Sequence, residues 1–205
     1  MKKAFFYFLI FICGAFKPAL SQAPVYSDTI TGGNTLGFNK TVDIARPVEE
    51  LVLSGELNVV LVEGSVQRVR IEGDEAGVNS IRLKTGKGKL KISTAFLAFT
   101  RKKTLVTLSL PNLKLLKITG DALVKSKGVL HISDLELILD SDGKVSLKVA
   151  GSTVKTRLRG RGSIRIIGAF RQITSHSTVD GWQINLYEAE TARNAGKNTA
   201  ESMND

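Results

Sequence analysis

Cysteine is almost absent from this chain: Cys13 is the only one in 205 residues, so no disulfide can form within it. A hydrophobic core must therefore hold the fold together. Histidine is nearly as scarce, and His131 and His176 by themselves cannot supply the three protein ligands that a catalytic metal site requires. Serines are plentiful but none stands in a Gly-x-Ser-x-Gly elbow. Between Thr100 and Phe170 there is no Phe, Tyr or Trp, which removes the stacking platforms that sugar and nucleic-acid sites commonly use. Long apolar runs are lacking too. The one from Ala4 to Phe16 is about a dozen residues, well short of the roughly 20 a membrane-spanning helix needs.

That run has the shape of a leader peptide. Met1, Lys2 and Lys3 precede it, and Lys17 and Pro18 end it. Ala19 and Ser21 are small residues at the positions a signal peptidase reads, which predicts cleavage between Ser21 and Gln22. Cys13 follows Ile12 rather than a small residue, so it reads as an ordinary apolar residue of the leader and not as a lipid attachment point. The expected organisation is a signal peptide over 1–21, a polar lead-in with a first strand over 22–47, a head domain over 48–187 and a polar tail over 188–205. The tail is expected to be disordered or a weak cap, with Trp182 covering the end of the domain. Loss of Lys2, Lys3 and Lys17 lowers the formal charge from +10 to +7. Such a surface favours polyanions such as acidic glycans or lipopolysaccharide phosphates, and export sets nucleic acid aside. The expected location is the periplasm, the outer membrane or the exterior, with no membrane span after processing.

What the chain does contain is strand. Val69 and Ile71, Ile81 and Leu83, Leu90 and Ile92, and Leu108 and Leu110 alternate with polar or charged residues, the period-two mark of strands buried on one face. No helical stripe interrupts the pattern between Leu51 and Leu186, and the expected class is all-β. The second half also repeats. Aligning the segments that begin at Ile118, Leu139, Leu158 and Ser177 gives steps of 21, 19 and 19 residues, each with a polar corner carrying Gly or Asp. A constant period near twenty predicts a β-helix-like solenoid with one rung per repeat, the corner glycines serving where the chain turns through positive φ. An open end of such a stack exposes unpaired backbone groups, which makes self-association through it an expectation.

The residues Leu-Val-Leu-Ser-Gly-Glu-Leu-Asn-Val-Val-Leu-Val-Glu-Gly from Leu51 to Gly64, Val69-Arg-Ile-Glu-Gly-Asp74, Gly88-Lys-Leu-Lys-Ile92, Leu110-Pro-Asn-Leu113 and Ile118-Thr-Gly-Asp121 carry a family likeness. Over Val48 to Ile184 the chain resembles the GIN-type head domain of auto-transporter adhesins, common in exported proteins of the Bacteroidetes. The resemblance implies a right-handed β-helix-like stack, secreted or displayed at the cell surface, with no established activity. Only Gly160 and Gly162 keep both corner glycines of the family pattern, since Ser141 and Val179 replace the first and Ala122 the second.

Candidate site residues fall into two classes, and no catalytic, cofactor-binding or metal-binding residue is assigned. In register, Arg161 stands between Asp142 one rung earlier and Asp180 one rung later, a structural charge ladder in preference to a calcium site. Arg157, Arg159 and Arg161 point to one side of a strand, and Lys84, Lys89 and Lys91 form a second basic group. The expectation is a non-catalytic adhesion or assembly module whose partner is a glycan, lipopolysaccharide or another surface protein. The alternative is a polyanion- or glycan-binding module using the basic face. A small polysaccharide lyase built on Asp140, Asp142 and Arg159 is the remote third reading, resting on fold analogy alone.

Overall fold

The alternating segments become strands because each buries every second side chain on a common core. The computed structural model describes residues 29–30, 37–94, 104–177 and 184–188. In chain order the strands are β1 (Thr29–Ile30), β2 (Phe38–Asp43), β3 (Glu50–Ser54), β4 (Asn58–Val62), β5 (Arg68–Gly73), β6 (Ile81–Gly86), β7 (Lys89–Thr94), β8 (Leu105–Ser109), β9 (Leu115–Ile118), β10 (Leu123–His131), β11 (Asp134–Leu139), β12 (Lys144–Leu158), β13 (Ser163–Ser177) and β14 (Ile184–Glu188). The fold is all-β, and its strands join in one curled sheet.

The long strand β12 lets one sheet make two walls. Residues 144–150 of β12 pair in parallel with β10, and residues 153–158 pair in parallel with β11. One wall therefore runs β5, β8, β4, β10, first half of β12, and the other runs β6, β7, β3, β9, β11, second half of β12. Strand β13 pairs in parallel along the whole of β12, at an offset of 19 residues from Lys144↔Ser163 to Leu158↔Ser177. The segments aligned by sequence alone are cross-strand partners, with Ile118 opposite Leu139, Leu139 opposite Leu158, and Leu158 opposite Ser177.

Between the walls, side chains stack in columns. Ile92, Leu53, Ile118, Leu139 and Leu158 form one column of register partners, each fully buried. Facing it, Ile71, Val106, Val59, Val124, Val145 and Ile164 form another. Each such side chain contributes about 1.5–3 kcal/mol relative to exposure, and this takes the place of the absent disulfides. The neighbouring column of Leu90, Leu51, Leu116 and Leu137 ends on Thr156, whose buried Oγ1 donates to Ser175 Oγ at 2.9 Å.

Three expectations need correction. A short helix, α1 (Glu75–Ser80), lies where no helical stripe was read; Asp74 caps it by accepting from the Gly77 N–H at 2.7 Å, and six residues are too few to show a period. The early strands are not all parallel: β5 pairs antiparallel with both β2 and β8, and β6 with β7, so that part of the fold has no twenty-residue repeat. Gly120, Gly143, Gly160 and Gly162 do not adopt positive φ. They are glycine because the adjoining corner lies against them. A Cβ on Gly160 would meet Ser141 O, one on Gly162 would meet Gly143 O, and one on Gly143 would sit 2.7 Å from Ala122 O.

Candidate binding face

The wall from β6 to β12 turns every second residue outward, and cross-strand register sets them in rows. Lys84 stands opposite Lys91, Lys91 opposite Val52, Val52 opposite Lys117, Lys117 opposite Ile138, and Ile138 opposite Arg157. His176 of β13 continues the row beside Arg157. Lys84, Lys91 and Arg157 are exposed, and Lys117 is half-buried between Val52 and Ile138, whose apolar surfaces suit the methylene stem of a lysine with its ammonium outward. Two basic groups that lie some seventy residues apart in sequence thus share one face, with a cation between them that reading by groups passed over. The pattern Leu115-Leu-Lys-Ile118 is a local signal that Lys117 faces out, but its place beside β3 depends on a pairing 65 residues distant, Val52↔Lys117.

Salt bridges divide the candidate cations. Lys89 Nζ lies 2.8 Å from Glu50 Oε1, Arg157 3.5 Å from Glu136 Oε1, and Arg161 2.6 Å from Asp142 Oδ2. Lys84, Lys91, Lys117 and Arg159 have no carboxylate within 4.0 Å among the described residues. The row next to the lysines carries the acids Glu50 and Glu136, both already engaged. Lys84 and Lys91 face each other directly, which is repulsive in an antiparallel pair unless an anion intervenes.

At the corner between β12 and β13, Arg161 donates from its guanidinium to Asp142 Oδ2 at 2.6 Å and from its backbone N–H to Asp142 Oδ1 at 3.1 Å. The side-chain bond, reinforced by the backbone bond, holds the Asp142 carboxyl below the usual aspartate range and raises the guanidinium's pKa in turn. Asp43 and Arg68, bonded at 2.6 and 3.1 Å between β2 and β5, show the same effect. Asp180, Trp182, Ser21 and Gln22 lie outside the described residues.

The cavity beside Leu61, Leu110, Leu113, Leu130 and His131 has a volume of about 20 Å³, enough for a water but not for a sugar ring or acyl chain. At its rim His131 is exposed, with Nδ1 3.4 Å from Glu63 Oε1. Among the described residues no three His, Cys, Asp or Glu side chains are grouped to hold a metal ion. No helix among them is long and apolar enough to cross a membrane.

A family model described as "Putative auto-transporter adhesin, head GIN domain" matches residues 48–194. The chain belongs to this family. No curated protein matches the sequence significantly. Among solved structures, this GIN domain is similar to a "putative lipid binding protein" of Parabacteroides distasonis ATCC 8503, with a TM-score of 0.52 and 17% identity over 75% of this chain. It spans 64% of that protein's chain, and the likeness is one of fold. A "putative adhesin" of Bacteroides fragilis NCTC 9343 covers 73% of this chain and 94% of its own at 16% identity and a TM-score of 0.45. A "putative cell adhesion protein" of Clostridium sporogenes ATCC 15579 covers 82% of this chain and 100% of its own at 13% identity and a TM-score of 0.38. Family membership accords with a surface or exported protein.

Proposed function

We propose that this chain is a non-catalytic exported head domain that works by presenting an outer β face for adhesion or assembly. The observation that carries this reading is the contrast between its interior and its exterior. Among the described residues the cavity beside Leu61 and His131 is water-sized, whereas the outer wall offers a continuous row of in-register side chains across β6, β7, β3, β9, β11 and β12. A domain with a water-sized cavity and a long in-register outer face is suited to contact and poorly suited to enclosing a substrate.

The same reading takes the stack as a right-handed β-helix-like solenoid. Its support is the run of parallel registers offset by 21, 19 and 20 residues, at Glu136↔Leu115, Lys144↔Ser163 and Ile164↔Ile184, together with the right-handed preference of parallel crossovers. The lyase reading gains no support, because Asp142 is held by Arg161 at 2.6 Å. Lipid enclosure, raised by the name of the Parabacteroides protein, is likewise at odds with a cavity of about 20 Å³.

Two measurements test the proposal. Fractionation of producing cells is expected to find the chain outside the inner membrane. Beads coated with it are expected to be retained on bacterial or matrix surfaces, and beads coated with the heat-unfolded chain are not. Cytoplasmic retention of the chain, or equal retention of both bead types, would falsify it.

A further inference from the structure

We propose that the row Lys84, Lys91, Lys117 and Arg157 is a binding track for a linear acidic polysaccharide that carries one anionic group per disaccharide and lies across the strands. This rests on the reading of the chain as a face-presenting domain and names the ligand of that face.

The spacing argues for it first. Neighbouring strands lie about 4.8 Å apart, so Lys91 and Lys117, two strands apart, are separated by about 10 Å, as are Lys117 and Arg157. A disaccharide of a linear glycan is of that length, so successive anions meet successive cations. The whole track from Lys84 to Arg157 crosses five strand steps, about 24 Å.

Charge argues for it second. Lys84, Lys91 and Lys117 lack carboxylate partners among the described residues, and the face-to-face pair Lys84 and Lys91 concentrates positive potential at one end. The arginine at the other end is only loosely held, at 3.5 Å from Glu136. Lys89 and Arg161, held at 2.8 and 2.6 Å by acids, belong to the structure of the rungs and not to the track. Between the cations, Val52 and Ile138 provide low apolar ground on which the less polar face of a sugar ring can rest. A globular protein partner would need an acidic strip matching a narrow row; a flexible linear chain needs only its own repeat.

The test titrates hyaluronan oligosaccharides of increasing length, each with one carboxylate per disaccharide, into the chain at low salt, with neutral cellulose oligosaccharides as the control. Affinity is expected to rise up to about the hexasaccharide, which fills the 24 Å track, and then level off. It is expected to fall as added salt shortens the screening length below about 10 Å. Lys91→Gln and Lys117→Gln are each expected to weaken binding about fivefold, the upper range for an exposed ion pair. Lys91→Glu with Lys117→Glu is expected to abolish it. Lys125→Glu with Lys148→Glu makes the same charge change on exposed residues of the other wall and is expected to stay within about twofold of the parent.

Equal losses in the two reversed variants would show that net charge alone is acting and would overturn the proposal. So would binding of the neutral oligosaccharide, or no binding of hyaluronan by the parent chain. The glutamine variants keep the test open if a reversed chain fails to fold. Failure here with bead retention intact sinks the track and leaves the adhesion reading standing.

Discussion

Gly143→Ala tests whether the corners are set by close approach or by backbone freedom. The added Cβ would lie 2.7 Å from Ala122 O and 3.2 Å from both Ala122 N and Gly120 O. Ordinary contact begins near 3.4 Å, so the Ala122 carbonyl must retreat by about 0.7 Å. That same carbonyl accepts the Lys144 N–H at 2.9 Å, the bond that opens the pairing of β10 with β12. Retreat stretches it towards 3.6 Å, beyond hydrogen-bonding range. Overpacking costs about 1–3 kcal/mol and the lost bond about 1 kcal/mol, so the variant should be about 2–4 kcal/mol less stable. At about 2–4 °C per kcal/mol for a domain of this size, the melting temperature should fall by roughly 5–15 °C. Gly86→Ala is the matched control. It lies at the end of β6 with negative φ and nothing within 4 Å of its Cβ, so it should be neutral or gain up to about 1 kcal/mol. Urea titrations followed by circular dichroism measure both. Equal stability of Gly143→Ala and the parent would refute the close-approach account.

Leu139→Ala removes a fully buried link of the Leu and Ile column and should cost about 2–5 kcal/mol by denaturant titration, whereas Val129→Ala, at 44% exposure, should change stability by less than about 0.5 kcal/mol. Asp142 and Asp43 both have carboxyls held below the ordinary aspartate value, so each contributes stability that is present above about pH 4 and is lost as pH falls through its folded pKa. Acid titration of Arg161→Gln should therefore lose less stability between pH 5 and 2 than the parent, by about the share that Asp142 carries; an identical acid profile would remove the ion pair from the account. N-terminal sequencing of the exported chain should begin at Gln22, and a start before Ser21 would refute the assigned leader.

Sequence reading reached the second half of the fold through the repetition of Ile118, Leu139, Leu158 and Ser177, because parallel stacking converts a repeat in the chain directly into register partners. The first half gave no such signal. There β3 pairs with β9 at Glu50↔Leu115, and β4 with β10 at Asn58↔Leu123, with the antiparallel strands β5, β6 and β7 and the helix α1 between them in sequence. A sixty-five-residue excursion leaves no period to detect. Lys117 went unassigned for the same reason: its outward direction is local, but its neighbours are not. The Asp142 and Arg161 contact, at a separation of 19 residues, was within reach of the repeat.

The charge track follows from the same constraint that builds the core. On β9 the inward positions are Leu116 and Ile118, so Lys117 must face out; on β7, Leu90 and Ile92 force Lys91 out in the same way. Register then fixes how far apart the two ammonium groups stand, through β3 and at two strand spacings. A ligand read by this row is therefore read by the backbone ladder, with the side chains as its marks. Exchanging Lys117 for an apolar residue would leave the ladder intact and erase one mark. Shifting β9 by one residue would instead turn Leu116 and Ile118 to solvent, at a cost that the buried column makes prohibitive. The spacing of the cations is for that reason much harder to alter than their number.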